Sequence, residues 1–446
     1  MPYYKLTLSL DVTEHYLRER ELDMADNKIR EIRVIRENPR FRRYPEYKES
    51  GVEFIGSIPK HWDTVRCANL FELKHIKQTS GEINLSVYRD YGVIKRDSRD
   101  DNYNRVSADT SNYKLVEPGD FVFNKMKCWQ GSLGVSEYRG IVSPAYTVCN
   151  PKRHFHGKYF HYLLRSQPYI QEFNRLSYGV RIGQWELRFE DFKDVTVFYP
   201  SLSEQTQIAN FLDHKTKQID ELIRIKERQI ELLLEQRTAL INQAVTKGLG
   251  PNVEMKPSGV EWIGEMPAHW TPVMLKYAAR LVYGDTLISE NRDNGVVPVY
   301  GSNGIIDTHS SANTLSPAII VGRKGSLGKI QYSDVSCFVI DTAYYIDRRT
   351  SHVNLRWLYY ILQALKLERF RNSVLPGLNR ESAESQYIPL IVEEEQTQIA
   401  NFLDQKTQQI DELITAEQRK IELLKEYRQS LISEAVTGKI DVRNEV

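Results

Sequence analysis

Cysteine is scarce: there are only four in 446 residues. They stand at 67, 128, 149 and 337, at no metal-ligand or paired spacing, which argues against a disulfide framework and a thiolate metal site and predicts free thiols in a reducing compartment. The chain shows no charged-then-apolar leader and no run of ~18 apolar residues, so a cytoplasmic protein without a membrane span is expected. An excess of one charge is also missing. Sixty basic residues face 59 acidic ones, a formal net charge of +1. This speaks against an indiscriminate polycationic nucleic-acid coat but leaves local patches open. Such patches exist: 28–48 holds eight basic and three acidic residues, and 342–380 holds seven and two. A hydrophobic content of 41% allows real cores, and this length suggests roughly two to four domains.

Catalytic signatures are missing as well. GRKGSLGK at Gly322 invites a phosphate-loop reading, but that loop needs G-x-x-x-x-G-K-[ST], and Ile330 follows Lys329. No Asn/Asp-Pro-Pro-aromatic tetrapeptide for amino-group methylation occurs. His154 and His156 are close together but suit surface or capping roles. A non-catalytic chain with no cofactor or metal of its own is the expectation.

What the chain does contain is repetition. Residues 204–223 read EQTQIANFLDHKTKQIDELI and 395–414 read EQTQIANFLDQKTQQIDELI, differing at two of twenty positions. SGVEFIGSIPKHW at Ser50 returns as SGVEWIGEMPAHW at Ser258. The unit of about 200 residues is too long for a solenoid and reads as tandem domains. His61-Trp62 and His269-Trp270, present in both edge phrases, read as packing anchors.

The expected architecture is α+β: an extension over 1–43, globular pieces over 44–200 and 251–392, and long helices over 201–250 and 393–446. Thr13–Arg36 could form a helix in the extension. TVRCANLFEL, DFVFNK, IVSPAYTVCN, VVPVYGSNGI, AIIVGRK and CFVIDTAYYI read as strands and turns. Lys158–Leu176 and Leu355–Phe370 read as helices. Ser201 and Glu204 have capping-box spacing ahead of an apolar stripe that ends before Gly248 and Pro251. The stripe recurs over 393–436, opening on three glutamates, which suit a helix dipole, and closing at Gly438. Helices of ~65 Å need a partner along their length. They can form an antiparallel coiled coil about a pseudo-twofold axis, or each can pack on its own domain.

GSLG occurs in both globular pieces, at Gly131 and Gly325, while the interiors otherwise share little. Tight turns flanked by basic and amide side chains suit phosphate contacts and base-edge hydrogen bonds, although two ordinary charged hairpins would look the same. The DNA-contact candidates are Lys125, Lys127, Gln130, Ser132, Arg181 and Gln184 in the first piece. In the second they are Tyr300, Ser302, Asn303, Arg323, Lys324, Ser326, Asn379 and Arg380. A duplicated frame with diverged faces suits two unlike DNA half-sites at a set spacing. A protein-bridging scaffold or a stand-alone enzyme remain as alternatives.

These residues carry a family resemblance. YPEYKESGVEFIGSIPKHW at Tyr44, its copy at Ser258, VPVYGSNGI at Val297, IIVGRKGSLGKI at Ile319 and both EQTQIANFLD…QIDELI…AVT helices resemble the DNA-specificity subunit of type I restriction–modification enzymes, a host-defence system. The resemblance covers most of 44–440. It implies two target-recognition domains, each reading half of an asymmetric bipartite site on double-stranded DNA. It implies paired helices that set the spacing and dock two modification (methyltransferase) subunits. S-adenosylmethionine would sit on those subunits, and ATP and magnesium on restriction subunits that translocate and cut. Residues 1–43 precede the usual family pattern and are either an upstream start or an added arm.

Overall fold

Two helices dominate the chain, Leu202–Lys247 with 46 residues and Glu393–Val436 with 44. The computed structural model describes residues 41–77, 82–89, 91–98, 110–179, 185–293, 295–371 and 377–445. The expected helix over Thr13–Arg36 lies outside the described residues. The chain divides into two compact units, Met1–Leu222 with Glu422–Val446, and Ile223–Ile421. The division cuts each long helix part-way along, so each unit holds a segment of both.

The first unit is built on a four-stranded antiparallel sheet in the order Phe71–Leu73, Tyr146–Pro151, Phe121–Asn124, Leu133–Val135. Aromatic side chains fill one side of it: Phe121 stacks on Phe192 at 5.2 Å, and Phe71 lies 5.0 Å from Phe121. Thr196–Tyr199 pairs with Asp63–Arg66, and the edge phrase forms the pair Tyr47–Glu49 and Ser57–Pro59. TVRCANLFEL is not one strand, because a helical turn at Cys67–Leu70 interrupts it and buries Cys67 and Leu70. The helix expected over 158–176 is two, Gly157–Leu164 and Gln167–Leu176. Ser166 separates them, its hydroxyl donating back to Leu163 O at 2.7 Å, and Pro168 sits at the new start, where its missing N–H costs nothing.

The second unit repeats this plan. Its main antiparallel sheet runs Val282–Tyr283, Ala343–Asp347, Ala318–Gly322, Ile330–Ser333. Thr271–Met274 pairs with Tyr387–Leu390, and the second edge phrase forms Met255–Pro257 with Glu265–Pro267. Strand order therefore repeats where sequence does not. This unit adds a sheet in which Val297–Gly301 pairs antiparallel with Gly304–His309 and parallel with Phe338–Val339. The helix expected to reach Phe370 ends at Leu365; Lys366 turns left-handed (φ 53°), and a 3-10 turn follows.

The repeated phrases are explained by what their polar letters touch. In the first unit Glu204 accepts from the Tyr44 hydroxyl (2.8 Å) and pairs with His61 Nε2 (2.9 Å). In the second, Glu395 pairs with His269 Nε2 (3.0 Å) and accepts from Trp270 Nε1 (3.1 Å). Each helix start is thus clamped to the edge phrase of its own unit, over a fully buried tryptophan, Trp62 or Trp270. The capping box is only half made. Glu204 N donates to Ser201 Oγ at 3.3 Å, but the carboxylate is used on Tyr44 and His61. The Gln205 amide accepts from His156 N and donates to Pro200 O, and Gln396 does the same with Asn354 N and Ile391 O. Asp213 takes Lys158 and Tyr162; Asp404 takes Arg356 and Tyr360. Both positions that differ, 214/405 and 217/408, are exposed in both units.

Inside each unit the two long helices meet. In the first, Asp220 pairs with Arg428 at 3.0 Å. In the second, Lys226 pairs with Glu417 at 2.9 Å and Arg237 with Asp411 at 3.1 Å. There the partner numbers run in opposite directions, so the segments lie antiparallel. The Glu417 carboxylate also holds Lys420 at 2.6 Å. Burial raises its pKa, but the Lys420 and Lys226 ammoniums outweigh that and hold it below the usual glutamate range.

Candidate nucleic-acid interface

In the second unit three separate segments converge. The strand Ala318–Gly322 ends in the GRKGSLGK turn, and Gly325 and Gly328 both take positive φ there (75° and 72°). A side chain at Gly322 could not fit, since its Cβ would lie 2.0 Å from Ser326 O. The hairpin tip at Ser302 and Asn303 is tied to this turn by Lys329 Nζ, which donates to Asn303 O and Oδ1, both at 2.9 Å. The third segment is attached through Leu378, whose N–H donates to Arg323 O (2.9 Å) and whose carbonyl accepts from the Tyr344 hydroxyl (3.0 Å). Burial, reinforced by the neighbouring Tyr283, pushes Tyr344 up to about 12, so it stays a donor at neutral pH.

Between the turn and the third segment lies a cleft of about 800 Å³ lined by Tyr283, Arg323, Lys324, Tyr344, Asn379 and Arg380, among others. The Arg323 guanidinium lies 4.8 Å from the Tyr283 ring centre and that of Arg380 5.2 Å. Two cations on one aromatic ring are held in place by cation–π attraction, which leaves those N–H groups that have no other partner free to bond elsewhere. Of the candidates in this unit, Ser302, Asn303, Arg323, Lys324, Ser326, Asn379 and Arg380 are brought to this region, all at least partly exposed. Tyr300 is different: it is 8% exposed and packs with Ala318, Ile320 and Val339 beneath the surface.

The first unit places its counterpart in the same way. Leu187 N donates to Lys125 O at 3.0 Å, as Leu378 does to Arg323. Lys125 is half-buried, and Lys127 and Gln130 are exposed on a 3-10 turn capped by left-handed Gly131 (φ 92°). Ser132 faces inward, its hydroxyl donating to Val87 O at 2.6 Å, which leaves it no proton for a ligand. Arg181 and Gln184 lie outside the described residues. Three contributors are not among those candidates. Trp129 and Trp185 sit with ring centres 5.6 Å apart, and Arg188 lies 4.9 Å above the Tyr178 ring. Aligning LRFED at Leu187 with LNRES at Leu378 would have pointed to Arg188.

Among the described residues no group of three or more His, Cys, Asp or Glu side chains could hold a metal, and no helix is long and apolar enough to cross a membrane. Two units of one strand order, each with a cationic and aromatic surface at the same place, define a duplicated recognition scaffold. The profile of the type I restriction modification DNA specificity domain matches residues 59–233 and again 267–423. That is more than half of the chain, and the protein belongs to this family of specificity subunits. It is 24% identical over 435 residues to a Methanocaldococcus jannaschii protein that carries the name of the MjaX specificity subunit of a type I restriction enzyme; the match spans 89% of this chain and 98% of that one. The MjaVIII specificity subunit of the same organism is 24% identical over 282 residues, 57% of this chain and 64% of its own. Among solved structures, one described as showing "complex assembly and conformational transition of the type I R-M system" superposes with a TM-score of 0.66 at 15% identity, over 87% of this chain and 99% of that one, which speaks for the fold.

Proposed function

We propose that each unit reads one half of an asymmetric, bipartite site on double-stranded DNA, and that the two long helices form one antiparallel coiled coil that sets the gap between the halves. The carrying observation is the convergence, in both units, of a glycine turn, a basic residue (Lys125 or Arg323) and a Leu-anchored third segment on one cationic surface. Basic side chains on aromatic rings suit base edges and phosphates. In domain terms the readers are 44–200 and 251–392, joined by helices 201–250 and 393–446.

The helices also carry a docking role in this reading. Gln207/Gln398, Asn210/Asn401 and Gln218/Gln409 are identical between copies and exposed in both. Internal packing does not require that identity; two equivalent seats for one kind of partner would. Two modification subunits fit those seats and would bring S-adenosylmethionine. Restriction subunits would bring ATP and magnesium, and this chain would supply no catalytic group.

The test is selection from a random-sequence duplex library by the chain assembled with its cognate modification subunits, followed by sequencing. One motif of two unlike blocks around a fixed gap is expected. Absence of any motif at moderate salt, from a complex shown to assemble, would overturn the reading in favour of a protein-bridging scaffold.

A further inference from the structure

The cleft of the second unit is lined mainly by donor side chains, with the Glu381 carboxylate beside them, and this narrows what it can read. Asn379 caps the short helix Arg380–Glu384, its Oδ1 accepting from Ser382 N at 2.9 Å. Its Nδ2 donors and one Oδ1 lone pair remain. Adenine in the major groove shows one acceptor and one donor, so a side-chain amide reads it with both of its ends. In Asn379 one end already serves the cap, so it is less free to do this than an uncommitted amide. Arg323 is partly committed as well, with Nη1 donating to Asp341 O at 2.9 Å. Arg380 is the contrast. Its guanidinium rests on Tyr283 and has no hydrogen-bond or ion-pair partner among the described residues. It is thus an oriented fork with open N–H groups beside a cleft.

Guanine is the base that presents two adjacent acceptors, O6 and N7, in the major groove, and a fork of two parallel N–H groups matches them. We infer that Arg380, held on Tyr283, is a specificity-determining residue that reads a guanine in the half-site bound by the second unit. Arg323 and Lys324 flank that base and contact phosphate or a neighbouring acceptor. This rests on the DNA-reading role proposed above and extends it to one base.

The same library selection tests it with three chains in the assembled complex: wild type, Arg380→Ala and Arg380→Lys. Lysine keeps the charge and loses the fork. The wild type is expected to select a motif with guanine fixed at one position of one block. Both variants should relax that position alone, losing about 5- to 150-fold of discrimination there, with the other block and the gap unchanged. Circular dichroism and assembly with the modification subunits confirm folding of each variant. If both variants keep the wild-type motif at every position, Arg380 reads no base and the inference falls while the DNA-reading role stands. If Arg380→Ala weakens binding to all sequences alike, lowers the salt slope, and Arg380→Lys restores both, the residue is a phosphate contact and the inference is again overturned. If the wild type selects no motif, the DNA-reading role itself fails and this inference with it.

Discussion

Removing one partner of the Lys226–Glu417 pair should destabilise the second unit strongly, while removing both should not. The two side chains are 3% and 13% exposed and 2.9 Å apart. A single substitution strands a buried charge, at a cost of ~3–5 kcal/mol. The two single variants should differ. Lys226→Met leaves Glu417 with Lys420 at 2.6 Å, a partner 39% exposed, so its cost belongs at the lower end. Glu417→Leu leaves Lys226, among the described residues, only the Gln229 amide oxygen, at 2.9 Å, and belongs at the upper end. In a unit of this size 1 kcal/mol moves Tm by about 2–4 °C, so drops of roughly 6–20 °C are expected. The double variant, Lys226→Met with Glu417→Leu, should return to within ~1–2 kcal/mol of wild type or exceed it. Differential scanning calorimetry of the full chain, following the transition of this unit, measures all four states of the cycle. A pH series adds a sign. The carboxylate is held below its usual range, so its contribution is present above the unfolded glutamate pKa and is lost as pH falls through the lower folded value. Additive losses in the double variant would refute the reasoning, because stranded charge would then not be the cause.

The tryptophans of the two edge phrases should respond unequally to phenylalanine. Trp270 Nε1 donates to Glu395, whereas Trp62 Nε1 is buried with no acceptor among the described residues, so Trp270→Phe should cost ~1–2 kcal/mol more than Trp62→Phe in thermal melts. Equal losses would mean that volume alone matters. His161 should stay neutral through the physiological range. Burial, and then the Arg165 guanidinium at 2.7 Å, hold its pKa down to about 3, and the ring lies so close to Gly92 that a Cβ there would approach it to 2.6 Å. Its folded pKa lies below the unfolded ~6.5, so its contribution is complete above that pH and declines as pH falls toward 3. Histidine proton shifts in an NMR titration should show one ring flat between roughly pH 7 and 4.5; a midpoint near 6 for His161 would contradict the assigned environment.

Periodicity and repetition in the sequence were enough for the long helices and the duplication. An apolar stripe at three- and four-residue steps has few other solutions over 40 or more residues, and a polar phrase copied so closely implies copied contacts. His61 and His269 were legible as anchors for that reason, although only the structure showed Glu204 and Glu395 as what they grip. The shared strand order was not legible. A strand asks only for alternation and turn residues, so Phe121–Asn124 and Ala318–Gly322 occupy equivalent places with little sequence in common.

The recognition surfaces divide along the same line. Charge and glycine composition marked the two turns, because a tight exposed turn with basic flanks is a local property. Which neighbours face the cleft is not local. Ser132 and Tyr300 lie in marked segments, yet both are turned inward. Tyr283, Trp185 and Arg188 were not marked, although the last two closely follow the candidates Arg181 and Gln184, and they reach the surface only because the chain returns there. The placing of Arg380 beside the cleft was decided by tertiary contacts, through Leu378 and Arg323, whereas the cap that Asn379 makes on Ser382 N is local. What the sequence by itself determined was the frame and its duplication, since those depend on patterns within short stretches. Which side chains share each surface was decided by contacts between segments far apart in the sequence, such as those of Tyr283, Arg323 and Arg380, and only the folded chain places them.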